Sequence, residues 1–189
     1  MGKFKPKQIG TKVVTGKVRL SYANISEPRA ADDNSTPKYS VSLIIPKDDK
    51  ATIAAINAAV EEAIAIGKET KWGGKVPANL KMPLRDGDED RPDDYVYADA
   101  YFVNASSTRK PDLVDRKKRI LEPDEVYSGC YAHVSINFYP YNVSGNRGVG
   151  CGLGNIQKVD DGARLGGWSS AEDDFEFDDD ADDDFDFLQ

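Results

Sequence analysis

The stretch CYAHVSINFYPY, Cys130 to Tyr141, decides the fold. Its alternation puts Ala132, Val134, Ile136 and Phe138 on one side. Tyr131, His133, Ser135, Asn137 and Tyr139 fall on the other, as in a strand with one face in a core. A few residues later, GVGCGLGNIQKV (Gly148 to Val159) aligns Gly148, Gly150, Gly152 and Gly154 on one face and Val149, Cys151 and Leu153 on the other. Alternate glycines permit tight curvature or the close approach of another chain.

Working outward, Tyr95 to Asn104 repeats the design, with Val96, Ala98, Ala100 and Phe102 inward and Tyr95, Tyr97, Asp99 and Tyr101 outward. Thr11 to Tyr22 sets Val14, Gly16, Val18 and Leu20 against Val13, Thr15, Lys17 and Arg19. Tyr39 to Ile45 points Tyr39, Val41, Leu43 and Ile45 inward, and the turn-rich Asn24 to Pro37 joins the two as a long loop. Asp48 or Asp49 caps a helix whose Ile53, Ile56, Val60 and Ile64 recur at helical spacing until Gly67 stops it. Lys68 to Asp94, punctuated by glycine and proline, reads as a long irregular connection. The sum is a mainly β protein with one helix, best accommodated by a five-stranded oligonucleotide-binding (OB) barrel with an inserted helix and long loops. A β-sandwich satisfies the same alternation, because a period of two does not decide closure.

With 189 residues and 39% hydrophobic side chains, the chain suits one ordinary domain with appendages. Cys130 and Cys151 are too few for a disulfide framework and wrongly spaced for a Cys-x-x-Cys metal site, so buried free thiols are expected. His133 is the only histidine, which excludes multi-histidine metal sites. The acidic run Asp86 to Asp94 carries Arg91 where a calcium loop needs glycine. No catalytic constellation, metal site or cofactor fingerprint emerges, and the expectation is a protein that is not an enzyme and needs no cofactor. No apolar run approaches the ~20 residues that span a bilayer, and Met1 to Lys7 lacks the apolar core of a signal peptide, which predicts a soluble intracellular protein without a membrane partner.

Charge divides the chain. Of its 33 acids, 11 lie in Glu172 to Gln189, leaving 22 against all 25 bases in residues 1–171. A body of net charge +3 (residues 1–171) therefore carries a tail of −11 (residues 172–189). Like charges resist packing, which predicts a disordered interaction tail. Phe175, Phe177, Phe185 and Phe187 interrupt the acids and mark it as a hook for partner proteins.

On the body, Lys17 and Arg19 share an outward strand face, Lys71 and Lys75 flank Trp72, and a polar loop carries Arg109, Lys110 and the run Arg116, Lys117, Lys118, Arg119. With the outward Tyr97, Tyr101, Tyr131 and Tyr139 they form the candidate nucleic-acid-binding set. The physical requirement is a cationic groove that tracks phosphates while aromatic faces stack unpaired bases at ~1–3 kcal/mol each. The alternative is a non-enzymatic scaffold or chaperone-like protein acting through its acidic tail.

Five further segments sharpen the choice: Pro83-Leu84-Arg85-Asp86-Gly87-Asp88, Lys110-Pro111-Asp112-Leu113-Val114-Asp115, Tyr127-Ser128-Gly129-Cys130-Tyr131, Asn137-Phe138-Tyr139-Pro140-Tyr141, and Gly148 to Gln157. In this order they resemble bacteriophage single-stranded-DNA-binding proteins of the OB-fold type, over most of residues 10–167. More distantly the chain resembles podophage replication binding proteins with a helix-bearing OB fold and an acidic, aromatic tail. The resemblance implies binding of single-stranded DNA without strong sequence preference in phage replication, recombination or repair, in the host cytoplasm. It also implies a tail that contacts replication or recombination proteins. A homo-oligomer is compatible with this reading.

Overall fold

The computed structural model describes residues 4–166. The strands are β1 (Lys7–Ile9), β2 (Lys12–Val14), β3 (Val18–Arg29), β4 (Lys38–Pro46), β5 (Arg85–Asp86), β6 (Ala100–Ser107), β7 (Leu113–Val114), β8 (Tyr131–Val143) and β9 (Asn146–Asp160). Helices α1 (Lys50–Thr70) and α2 (Gly87–Asp90) and 3₁₀ turns at Tyr95–Tyr97 and Pro123–Glu125 complete the described elements. β3 pairs with β4, β4 with β6, β6 with β9, β9 with β8, and β8 returns to β3. This ring is an OB-like barrel rather than a sandwich. Only the β6–β9 contact within it is parallel, at Ser106 and Gly152. β1 and β2 extend the sheet beyond β8, while β7 pairs with β9 and β5 with β6.

The inward rows meet expectation on β4 and β8. Val41, Leu43 and Ile45 join Ala132, Val134, Ile136 and Phe138 in one core, with Val149, Cys151 and Leu153 from β9. Both cysteines are buried and free. α1 lays Ile56, Ala59, Val60 and Ala63 on this core, with Ile53 and Ile64 at its margin. Asp49 caps it by accepting from the Thr52 amide, and the Thr52 hydroxyl accepts the Gly16 N–H at 3.0 Å, tying the helix start to the β2–β3 break.

Four expectations change. The stretch Thr11 to Tyr22 is two strands, because the buried side shifts from Val13 and Thr15 to Val18 and Leu20 across Gly16 and Lys17. β3 continues to Arg29 through two register shifts, so the loop before β4 spans only residues 30–37. Gly67 lies within α1: a Cβ there would come within 2.7 Å of the Trp72 ring and 2.6 Å of Pro140, so the glycine serves close packing and not termination. The face assignment over Tyr95 to Asn104 inverts. Val103 and Ala105 join the barrel core, while Phe102 and Ala100 face outward and are buried with Ile44 and Tyr97 in a second small core. The segment from β5 to the Tyr95–Tyr97 turn covers this outer face.

Lys47 latches that cover. Its ammonium lies 2.9 Å from Asp86 and 2.7 Å from Asp88, and the Asp88 side chain accepts the Asp99 amide. Hydrogen bonds from Lys47 hold both carboxyls below the usual range. Among the described residues, no helix is long and apolar enough to cross a membrane, and no group of three His, Cys, Asp or Glu could hold a metal ion.

Candidate nucleic-acid interface

The burial of Ala132, Val134, Ile136 and Phe138 turns the alternate row of β8 outward. At its far end Tyr139 and Tyr141 stand opposite Gly150 and Gly148. A Cβ at Gly150 would lie 2.5 Å from the Tyr139 ring, and one at Gly148 would lie 2.7 Å from the Tyr141 hydroxyl. The alternate glycines of β9 therefore make room for tyrosines of β8. Tyr139 stays 42% exposed, and burial of the rest of its ring pushes its phenol above the ordinary value.

At the near end, a groove of about 770 Å³ opens between β8, the start of α1 and the N-terminal segment. Phe4 stacks on His133 here, with centroids 3.7 Å apart and planes at 22°. Lys5, Lys17, Lys50 and Arg116 supply positive charge to the lining, and Asp48, Asp49 and Asp160 supply negative charge. Two of those acids are engaged, Asp49 with Thr52 and Asp160 with Lys17 at 3.0 Å. A second groove of about 350 Å³ shares Arg116, Val159 and Asp160 with the first and brings in Lys117, Arg119 and Lys158, making one continuous channel.

The basic run is a built turn. The Asp115 side chain accepts the amides of Lys117 at 2.8 Å and Arg119 at 2.9 Å, and Arg119 Nε at 2.8 Å. The backbone N–H of Arg119 is the main cause of the low Asp115 pKa. Lys118 takes the left-handed φ of 64° that reverses the chain, and all four bases, Arg116, Lys117, Lys118 and Arg119, are exposed.

Lys17 and Arg19 lie 5.2 and 5.6 Å from the Tyr131 ring centroid. Arg19 also donates to the carbonyls of Gly129 at 3.1 Å and Ala163 at 2.8 Å, so it clamps the 161–166 strap onto the barrel. The strap is close-fitting: a Cβ on Gly129, at φ 113°, would sit 2.0 Å from the Ala163 carbonyl oxygen.

The channel thus brings together Lys17, Arg116, Lys117 and Arg119, while Arg19 and Tyr131 lie outside its lining, joined to it through the Lys17–Tyr131 contact. Two expected residues are corrected. Tyr97 is fully buried in the second core, with its hydroxyl donating to Ser42 at 3.1 Å, because the 3₁₀ turn folds it under the cover. Trp72 is 7% exposed and joins the main core, its indole N–H donating to the Tyr141 carbonyl at 3.1 Å, so neither ring offers a stacking face. Lys71 and Lys75 are exposed beyond α1, beside the Tyr141 end of β8, away from the channel. Tyr101 is half-buried, 5.2 Å from Lys47, and Arg109 and Lys110 are exposed in the loop after β6. Phe175, Phe177, Phe185 and Phe187 lie outside the described residues. Phe4 and Tyr141 complete the aromatic row without having been expected there. For Phe4 a signal existed, since Lys3-Phe4-Lys5 interleaves an aromatic with bases.

Residues 11–186 match the family model described as Enterobacter phage Enc34, ssDNA-binding protein. The putative protein p50 of Acyrthosiphon pisum secondary endosymbiont phage 1 is 31% identical over 181 residues, covering 89% of this chain and 93% of that protein. Among solved structures, the single-stranded DNA-binding protein from bacteriophage Enc34 in complex with ssDNA superposes with a TM-score of 0.71 at 25% identity, covering 88% of this chain and 100% of that one. The bacteriophage T7 protein gp2.5, a single-stranded DNA-binding protein, shares the fold at a TM-score of 0.58 and 19% identity, over 85% of this chain and 96% of that one. An OB-like ring with a helix after its second long strand, matched over nearly the whole chain, places this protein in the Enc34 phage ssDNA-binding protein family.

Proposed function

We propose that this chain binds single-stranded DNA without strong sequence preference during phage replication, recombination or repair, in the cytoplasm of the host. The observation that carries the reading is the channel. The basic turn, Arg116 to Arg119, contributes Arg116, Lys117 and Arg119 to the channel, where Arg116 shares a groove with Phe4 and His133, in a chain whose family is described by ssDNA binding. Cations on one wall suit phosphates, and Phe4, His133, Tyr131 and Tyr139 suit bases freed from a duplex. Residues 1–171 act as the binding domain. The −11 tail of residues 172–189 mimics a polyanion, competes for the same cationic surface and recruits replication or recombination proteins through its phenylalanines.

The test is a salt titration of binding to labelled single-stranded DNA, with duplex DNA and RNA as competitors. Expected is a preference for the single strand, with log affinity falling against log salt at about −0.7 per phosphate neutralised. Equal affinity for duplex, or affinity indifferent to salt, refutes the reading.

A further inference from the structure

A third groove, of about 580 Å³, lies away from the channel, between the middle of β3, the Tyr95–Tyr97 turn and the strap. Tyr22 and Tyr95 line it and are 57% and 85% exposed. Arg29 and Arg164 line it too, and the Arg91 guanidinium lies 5.2 Å from the Tyr22 ring centroid. The acid in the lining is Asp94, whose side chain accepts the Val96 amide to cap the turn.

Tyr22 has a left-handed φ of 48°. A bulky residue is costly in that region, where glycine or asparagine is at ease. The surroundings nonetheless hold the geometry: the Asn24 side chain donates to the Tyr22 carbonyl at 3.2 Å, and Ser128 Oγ accepts the Ala23 amide at 2.9 Å, at the β3 register shift. The strained position turns an aromatic ring with the Arg91 guanidinium beside it out toward water, more than half exposed. Strain over-determined by its neighbours and ending in an exposed ring is the mark of a ligand contact.

From this we infer that the Tyr22–Tyr95 groove is a second subsite for single-stranded DNA, stacking bases on the two tyrosines and pairing phosphates with Arg29 and Arg164. The inference rests on the proposed function and extends it. One strand engages both the channel and this groove, so the barrel occludes more nucleotides than the channel spans.

The experiment uses the full-length chain and labelled oligothymidine long enough to cover both grooves. Tyr22→Asn, a residue suited to this φ, and Tyr95→Ala are combined. Circular dichroism and a thermal melt confirm the fold. The double variant is expected to keep its melting temperature, lose affinity by about tenfold or more, and occlude fewer nucleotides; Tyr22→Phe with Tyr95→Phe restores both. Unchanged affinity and occluded length overturn the subsite. Tighter binding also overturns it, because the groove then holds the chain's own acidic tail. A drop in melting temperature accompanying the affinity loss overturns it as well, since Tyr22 is then a structural prop. If the wild-type chain binds no single-stranded DNA, the proposed function itself has failed, which is a separate result.

Discussion

Gly129 and Gly150 both have neighbours where a Cβ would go, but the neighbours differ in kind. At Gly150 the obstacle is the end of the Tyr139 side chain, which can swing aside. At Gly129 it is the Ala163 carbonyl, held by Arg19, and the φ of 113° penalises any side chain besides. Gly150→Ala is therefore expected to cost under about 1 kcal/mol, while Gly129→Ala costs about 2 kcal/mol or more, measured by urea unfolding. Gly150→Ala should still weaken DNA binding by displacing the Tyr139 ring. The same contrast explains what could be read among the tyrosines. Tyr131 and Tyr139 flank a row buried on one side only, so alternation placed them correctly. Tyr97 precedes a strand buried on both sides, Val103 toward the barrel and Phe102 toward the cover, and there a period of two carries no information about which face meets water. Trp72 misleads for another reason: its indole N–H finds a backbone carbonyl, which lets a ring bracketed by lysines go into the core.

At the scale of elements, the basic turn and the latched cover make opposite predictions about the solvent. Replacing Arg116, Lys117 and Arg119 with alanine removes exposed cations held in place by one carboxylate, so the fold should survive. The salt slope of DNA binding should become shallower by about 0.7 for each phosphate that is no longer neutralised, as read from the same titration. The cover, by contrast, depends on pH through Lys47. Asp86 and Asp88 titrate below the ordinary unfolded carboxylate value of about 3.9. The unfolded chain therefore binds protons first as pH falls, and the latch's contribution is present above that value and lost as pH drops through the folded pKa values. Urea midpoints should decline over this acid range, and Lys47→Met should flatten the decline. None of this latch was visible in sequence, because Asp86 and Asp88 come to Lys47 only after α1 and an irregular connection whose path carries no periodicity. β8 and α1, each buried on one face, were legible, as was the inward row of β4 even though Ser42 and Ile44 on its other face are buried too; the 3₁₀ turn, the β3 extension and the interior Gly67 were set by tertiary contacts.

For the whole molecule, the division of charge sets the behaviour of the full chain. Removing Glu172 to Gln189 takes away 11 negative charges and leaves the +3 body. Single-stranded DNA binding should tighten, most at low salt, and the gain should shrink once the Debye length falls below ~8 Å. Affinity measured with and without the tail across a salt series checks this, and no change at any salt refutes tail competition. The barrel also imposes an order of events on its own synthesis. The ring closes only when β9, the last long strand, meets both β8 and β6, and the β6 contact is the single parallel pair Ser106 and Gly152. Until β9 has been translated, the part of β6 beyond its short pairing with β5 presents an open edge, and folding waits on contacts distant in sequence. A ribosome stalled within β9 holds a half-barrel with an unpaired strand, the species in this protein's life most exposed to association with its copies.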